Sequence, residues 1–227
     1  MYSLIACSES IANNKVKAFG LRIPARLSCY LIAGTHGDEP ESVYVQQQLT
    51  TWLLQQRIAM PLIVIPKLNP DGLLTGTRGN ANGVDLNRNL PSSNWTSDFS
   101  QRRYFPGKAP ASEPENQFLL SLFQQYPPGF IISFHSWKPM LNSNGDCEAV
   151  LQHLHKHNGY PIVRDQIENH PTPGSLGNYA SEKLGIPVLT FETPTLDQRL
   201  DMDSIWEENK LALTSLMTSG LIEQLLG

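Results

Sequence analysis

Apolar residues gather along this chain in two kinds of pattern. Four short, nearly continuous runs cover residues 28–33 (SCYLIA), 61–66 (PLIVIP), 130–135 (FIISFH) and 187–192 (PVLTFE). Runs of this length closed by turn or charged residues predict buried strands. Residues 14–24 alternate weakly and stop at Pro24, which predicts an edge strand; 161–163 predict a short strand, and MYSLIACSES an opening ordered turn or strand. Elsewhere apolar residues recur at helical spacing. Pro40 opens a helix to about Gln56, where its missing N–H costs nothing, with Val43, Leu49, Trp52 and Leu53 on the recurring face. Ser112 and Glu115 read as a capping box before a helix that points Phe118, Leu119, Leu122 and Phe123 inward. Residues 146–158 and about 178–184 predict two more helices, and Asp203 is expected to cap a long amphipathic one reaching about Leu226. The alternation predicts one α/β domain over residues 1–227: a mixed, mostly parallel β-sheet with helices on both faces.

Residues 69–95 break the pattern. They are rich in Gly and Asn, contain a Pro-Asp-Gly turn signal and show no apolar period, so they predict an irregular loop. Loops of that length in a compact domain are usually functional or disordered, and the Leu90-Pro91 and Trp95 ending argues for function.

Composition narrows the partners. With 227 residues, 40% of them hydrophobic, the chain is long enough for one substantial core. A net charge of −4 without a Lys/Arg cluster argues against nucleic acid. No run approaches the roughly 18 apolar residues of a membrane span. The opening residues lack the basic stretch and long apolar run of a secretion signal, and Cys7, Cys29 and Cys147 form no CxxC pair. Those features fit a reducing compartment, so the expected location is cytoplasmic. The oligomeric state stays open.

Chemistry concentrates where the strands stop. His36 and Glu39 follow the first buried run as His-x-x-Glu, while His135 and Glu192 close two others. Ends of parallel strands share one rim of a sheet, where open α/β folds bind ligands. Two histidines and one carboxylate make a three-ligand zinc set with room for water, and a further carboxylate then suits proton transfer. The plainer alternatives are a capped surface turn for His36–Glu39, and a turn cap or lysine partner for Glu192. Asn87-Arg88 offers a donor beside a planar fork suited to a carboxylate, although most arginines form solvent-facing ion pairs. Arg78, in the same loop, is a second cation available to a developing oxyanion. Asp38 is a candidate to orient a ligand histidine or to cap the following helix, and Asp85 to fix the loop or orient Arg88. Trp95, Tyr104 and Phe105 belong to the cleft wall or the core. His153, His155 and His157 are read as a solvated helix face rather than a second metal site.

Taken together, HxxE, GVDLNRN at 83–89, SFH at 133–135 and TFE at 190–192 resemble the carboxypeptidase A-like zinc peptidases over about residues 31–195. The resemblance implies one Zn²⁺ per chain on His36, Glu39 and His135, with Glu192 as general base and then acid. It implies Arg78 at the carbonyl and Asn87 and Arg88 on the substrate's terminal carboxylate. Ser175, Leu176, Gly177 and Asn178 fall where relatives line the pocket for the C-terminal residue. The family's tyrosine just before that segment is replaced here by Asn169 and His170, which makes His170 the candidate for its role. GTHGDE, NPDGLLTGTR, NANGVDLNRN, PSSNW at 91–95, GKAPASEPE at 107–115 and TPGS at 172–175 resemble a narrower branch. Its bacterial members cleave the γ-D-glutamyl–meso-diaminopimelate bond of recycled murein tripeptide. Asn178, Asp146 and Glu148 are candidates for the zwitterionic end of diaminopimelate. An N-acyl amino acid deacylase of the succinylglutamate desuccinylase/aspartoacylase type is the competing enzyme, and a non-catalytic peptide-binding protein the competing class.

Overall fold

A computed structural model describes residues 2–164 and 170–227, so Asn169 lies outside the described residues. Eight strands form one mixed sheet: β1 (Ser3–Glu9), β2 (Lys15–Leu21), β3 (Ser28–Ile32), β4 (Leu62–Ile65), β5 (Pro128–Trp137), β6 (Met140–Asn144), β7 (Ile162–Arg164) and β8 (Val188–Pro194). Their spatial order is β1-β2-β4-β3-β5-β8-β6-β7. The central β4, β3, β5 and β8 are mutually parallel, β1, β2 and β6 pair antiparallel with their inner neighbours, and β7 runs parallel to β6. Every residue of β3 and β4 is buried, as expected of strands covered on both faces.

Side-chain alternation divides the interior in two. Cys29, Leu31, Phe130, Ile132, Phe134 and Phe191 face a core shared with α1 (Pro40–Gln55), α4 (Glu148–Asn158), α6 (Met202–Leu216) and α7 (Leu221–Leu226). Tyr30, Ile32, Ile63, Ile65, Ile131 and Val188 face the other core, covered by α3 (Pro114–Gln125) and α5 (Leu176–Tyr179). His135 is four positions beyond Ile131 and Glu192 four beyond Val188, so both belong to this second face. The β5–β8 register sets His135 directly beside Glu192.

Several elements depart from the sequence expectation, each for a local reason. Pro70–Thr75 form a short helix, α2, inside the predicted irregular loop. Asn69 accepts a hydrogen bond from Gly72 N (2.9 Å), Pro70 occupies the first turn and left-handed Gly76 ends it. Six residues are too few to display an apolar period. Met140–Asn144 form β6, a strand absent from the elements read off the sequence, because its Asn and Ser residues mask it. The predicted long terminal helix is two helices broken at left-handed Gly220, and Asp201 rather than Asp203 caps the first through Ser204 N (2.7 Å). The capping box does not form: Glu113 is the N-cap, and Ser112 Oγ donates instead to Glu113 Oε1 (2.6 Å). α5 starts earlier than expected, after Ser175. No helix among the described residues is long and apolar enough to cross a membrane. The three cysteines are unpaired.

Candidate active site

The chain leaves β3 through Gly34, in the left-handed conformation, and reaches His36 and Glu39 before Pro40 starts α1. Gly37 is required here, since a Cβ would lie 1.9 Å from the Gly72 carbonyl carbon. The turn therefore packs directly on α2. Asn69, besides capping α2, donates to the carbonyls of Thr35 (3.4 Å) and Arg78 (3.3 Å), fastening the two loops together.

Three donors converge on one point. His36 Nδ1 lies 2.8 Å from Glu39 Oε1, His135 Nδ1 is 2.9 Å from Glu39 Oε2, and the two Nδ1 atoms are 3.1 Å apart. Both imidazoles and the carboxylate are buried, and this is the His/Cys/Asp/Glu group of metal-binding geometry among the described residues. The outer ring nitrogens are occupied. His36 Nε2 faces Asp85 Oδ1 at 3.0 Å and His135 Nε2 faces Ser133 Oγ at 3.1 Å. A carboxylate only accepts, so Asp85 keeps the His36 proton on Nε2 and turns the Nδ1 lone pair inward. Paired inward lone pairs beside a carboxylate repel one another unless a cation or proton lies between them. The donor set thus fits zinc, which prefers two such nitrogens and a carboxylate at catalytic sites.

Burial by itself would raise the Glu39 carboxyl, but the two histidines outweigh it and hold the group well below its ordinary range. Asp85 is lowered in the same way: burial opposes, while Arg78 and His36 prevail. Arg78 joins the two acids, donating from Nε to Asp85 Oδ2 (2.9 Å) and from Nη1 to Glu39 Oε1 (3.2 Å). Glu192 behaves differently. Burial first, then the Glu39 charge, push it up to about 7 against the pull of His135 and Arg78. Its Oε2 is buried with no hydrogen-bond partner among the described residues.

A cleft of about 450 Å³ opens over this group, lined also by Asn87, Arg88, Trp137 and His170. Asn87 Oδ1 accepts from Leu176 N at 2.9 Å, which orients the carboxamide, and Arg88 Nη1 donates to Asn87 O at 2.8 Å. Arg78, Arg88 and Arg103 each place a guanidinium over the Tyr104 ring, at 5.3, 5.4 and 5.5 Å. His170 meets Trp137 edge-on, with ring centroids 4.8 Å apart. Ser175 and Leu176, expected at the substrate, do not line the cleft: the Ser175 hydroxyl caps α5 through Asn178 N (3.2 Å), and the Leu176 side chain is buried in the second core. A second pocket of about 330 Å³ adjoins the cleft through Arg88, Tyr104 and His170.

A profile of zinc carboxypeptidases matches residues 3–157. The chain belongs to the zinc carboxypeptidase family. As a member of it, the protein is a hydrolase. Murein peptide amidase A of Escherichia coli (strain K12) is 31% identical over 213 residues, covering 85% of this chain and 80% of that protein. The namesake from Vibrio campbellii is 30% identical over 207 residues, covering 86% and 81%. Among solved structures, murein-tripeptide amidase from Escherichia coli O157 superposes with a TM-score of 0.73 at 29% identity, covering 92% of this chain and 89% of that one. Carboxypeptidase A from Helicoverpa armigera gives a TM-score of 0.79 at 15% identity, covering 97% and 68%, and shares the fold.

In this member of the zinc carboxypeptidase family some expected neighbours have other partners. Asp38 neither caps α1 nor reaches a histidine; it pairs with Arg103 at 3.3 Å, and Asp85 takes the place beside His36. Asp85 also caps the turn at Leu86–Arg88 by accepting from Asn87 N. Glu148 makes an exposed ion pair with Arg164 (2.8 Å), away from the cleft. Asn178 Nδ2 donates to Thr172 O at 2.8 Å. His153 and His155 bond to Ser215 Oγ and Tyr160 O, both at 2.8 Å, which ties α4 to its surroundings. Tyr104, read from the sequence as cleft wall or core, lines the cleft; Trp137 and Arg103 had no distinguishing signal, because their places depend on rings and charges that arrive from distant segments.

Proposed function

We propose that residues 1–227 form one catalytic domain that hydrolyses the γ-D-glutamyl–meso-diaminopimelate bond of murein tripeptide, as a cytoplasmic step in recycling cell-wall peptides. The observation that carries this reading is that Glu192, whose Oε2 has no hydrogen-bond partner among the described residues, stands beside His135 of the donor set in a cleft that Asn87 and Arg88 also line. The narrower substrate choice is supported by the similarity to murein peptide amidases over most of both chains.

His36, Glu39 and His135 would hold one zinc ion. Bound there, the ion supplies Lewis acidity and makes water a stronger acid. The remaining work falls to side chains. Asn87 and Arg88 grip the free α-carboxylate of diaminopimelate, fixing the amide over the donor set. Glu192, kept out of ion pairs and raised by burial, takes a proton from the attacking water and returns it to the departing amine. Arg78, anchored by Asp85 and Glu39, directs its remaining N–H groups at the carbonyl oxygen as negative charge develops there. His170 closes the rim against Trp137 in place of the family tyrosine.

The test is mass spectrometry of L-Ala-γ-D-Glu-meso-diaminopimelate incubated with zinc-loaded protein. Free diaminopimelate should appear, a chelator should stop it, and Glu192→Gln should slow it by roughly 10²–10⁴-fold while zinc content stays unchanged. Release of acetate or succinate from N-acyl amino acids, with the tripeptide intact, would favour a deacylase. Intact peptide and a protein that binds no zinc would leave a peptide-binding module.

A further inference from the structure

The cleft holds one guanidinium more than the proposed reaction uses. Arg88 takes a terminal carboxylate and Arg78 faces the carbonyl, yet Arg103 lines the same cleft and approaches the same Tyr104 ring. Its position differs from that of Arg88. Arg88 opens into the adjoining pocket beside His170, from which Arg103 and Asp38 are both absent. Arg103 is tied instead to Asp38, the residue before Glu39, and lines the cleft over the donor set without lining that pocket. With the leaving amine's carboxylate on Arg88, the part of the cleft that Arg103 lines is left for the acyl half of the substrate.

Arg103 is built to accept a ligand there. Its side chain is about half exposed, and its one hydrogen bond among the described residues runs from Nη2 to Asp38 at 3.3 Å, a long contact for an ion pair. A guanidinium carries five N–H groups, so most of the fork is available while Asp38 and the Tyr104 face hold its direction.

We infer that Arg103 reads a second carboxylate, on the acyl side of the scissile bond and three carbons from its carbonyl. This rests on the proposed substrate, where the free α-carboxylate of γ-linked D-glutamate occupies that place. Arg103 acts on specificity by contacting this group, and Asp38 positions Arg103. The contact is partly exposed, so its effect should shrink as ionic strength rises.

The experiment compares kcat/KM for L-Ala-γ-D-Glu-meso-diaminopimelate with that for the isoglutamine peptide, in which the same carboxylate is an uncharged carboxamide. Wild-type protein should prefer the acid by roughly tenfold at low salt, and Arg103→Met should bring the ratio close to one. A ratio that follows the arginine is not produced by a general loss of folding, which slows both peptides alike. Equal use of the two peptides by wild-type protein overturns the inference and leaves the proposed substrate standing. A preference that persists in Arg103→Met overturns it as well. Cleavage of neither peptide overturns the proposed substrate, and this inference with it.

Discussion

Glu115 shows what a carboxylate does in this fold when no cation meets it. It is fully buried, accepts a hydrogen bond from Asn80 Nδ2 (3.1 Å) and leaves Oε1 without a hydrogen-bond partner among the described residues. Burial, with help from Asp71 and Glu113, pushes its carboxyl from 4.5 up to about 7. A carboxyl raised on folding is most comfortable protonated, so its stabilising share is complete below about pH 4.5 and disappears as pH climbs through about 7. Glu115→Gln should therefore gain stability over wild type between pH 5 and pH 8, by up to roughly 3 kcal/mol in urea denaturation. A difference that does not change with pH would mean that Glu115 is ionised throughout. At this scale the sequence was informative where polar residues close apolar runs: His36, His135 and Glu192 stood out because a buried strand has no ordinary use for them. Arg103 did not stand out, and Asp85 was read as a partner of its own loop rather than of His36, since those partners lie across the fold and no local period marks them.

The elements were readable in proportion to their apolar content. Strands β3, β4, β5 and β8 follow from hydrophobic runs, whereas β6 (MLNSN) is held by pairing with β8 and β7, and α2 (PDGLLT) by capping, which composition conceals. The Asn-rich stretch reads as a loop, yet its carboxamides are internal fasteners. Asn89 Nδ2 alone reaches Pro106 O (2.8 Å), Ala109 O (2.9 Å) and Ser112 Oγ (3.0 Å). The turn between β3 and α1 is the element on which the donor set depends most, and Gly37 is its tightest point. Gly37→Ala must push the turn away from Gly72 and with it displace His36 and Glu39. We expect at least a tenfold loss of zinc affinity in competition with a chromophoric chelator, accompanied by destabilisation of about 1–3 kcal/mol. Unchanged affinity would show that the turn yields without moving its ligands.

Across the whole molecule, the donor set joins segments that are far apart in the chain: His36 and His135 are separated by 99 residues. An ion held there ties β3 to β5 and to the start of α1. Ligand binding confined to the native state stabilises by mass action, about 2.7 kcal/mol at a hundredfold excess over Kd. Zinc removal by a chelator should lower Tm by several degrees, and His135→Ala should abolish that sensitivity. A chelator-independent Tm in wild-type protein would remove the ion from the structural account.

The edge-on contact between Trp137 and His170 has a consequence in spectroscopy. An indole that shares the cleft mouth with an imidazole, and has the Lys138 ammonium 4.9 Å from its ring centroid, emits light from a setting that an arriving peptide must alter. In a variant that keeps Trp137 as its one indole, with Trp52, Trp95 and Trp206 replaced by Phe, occupancy of the cleft should shift the emission without a label and before any bond breaks.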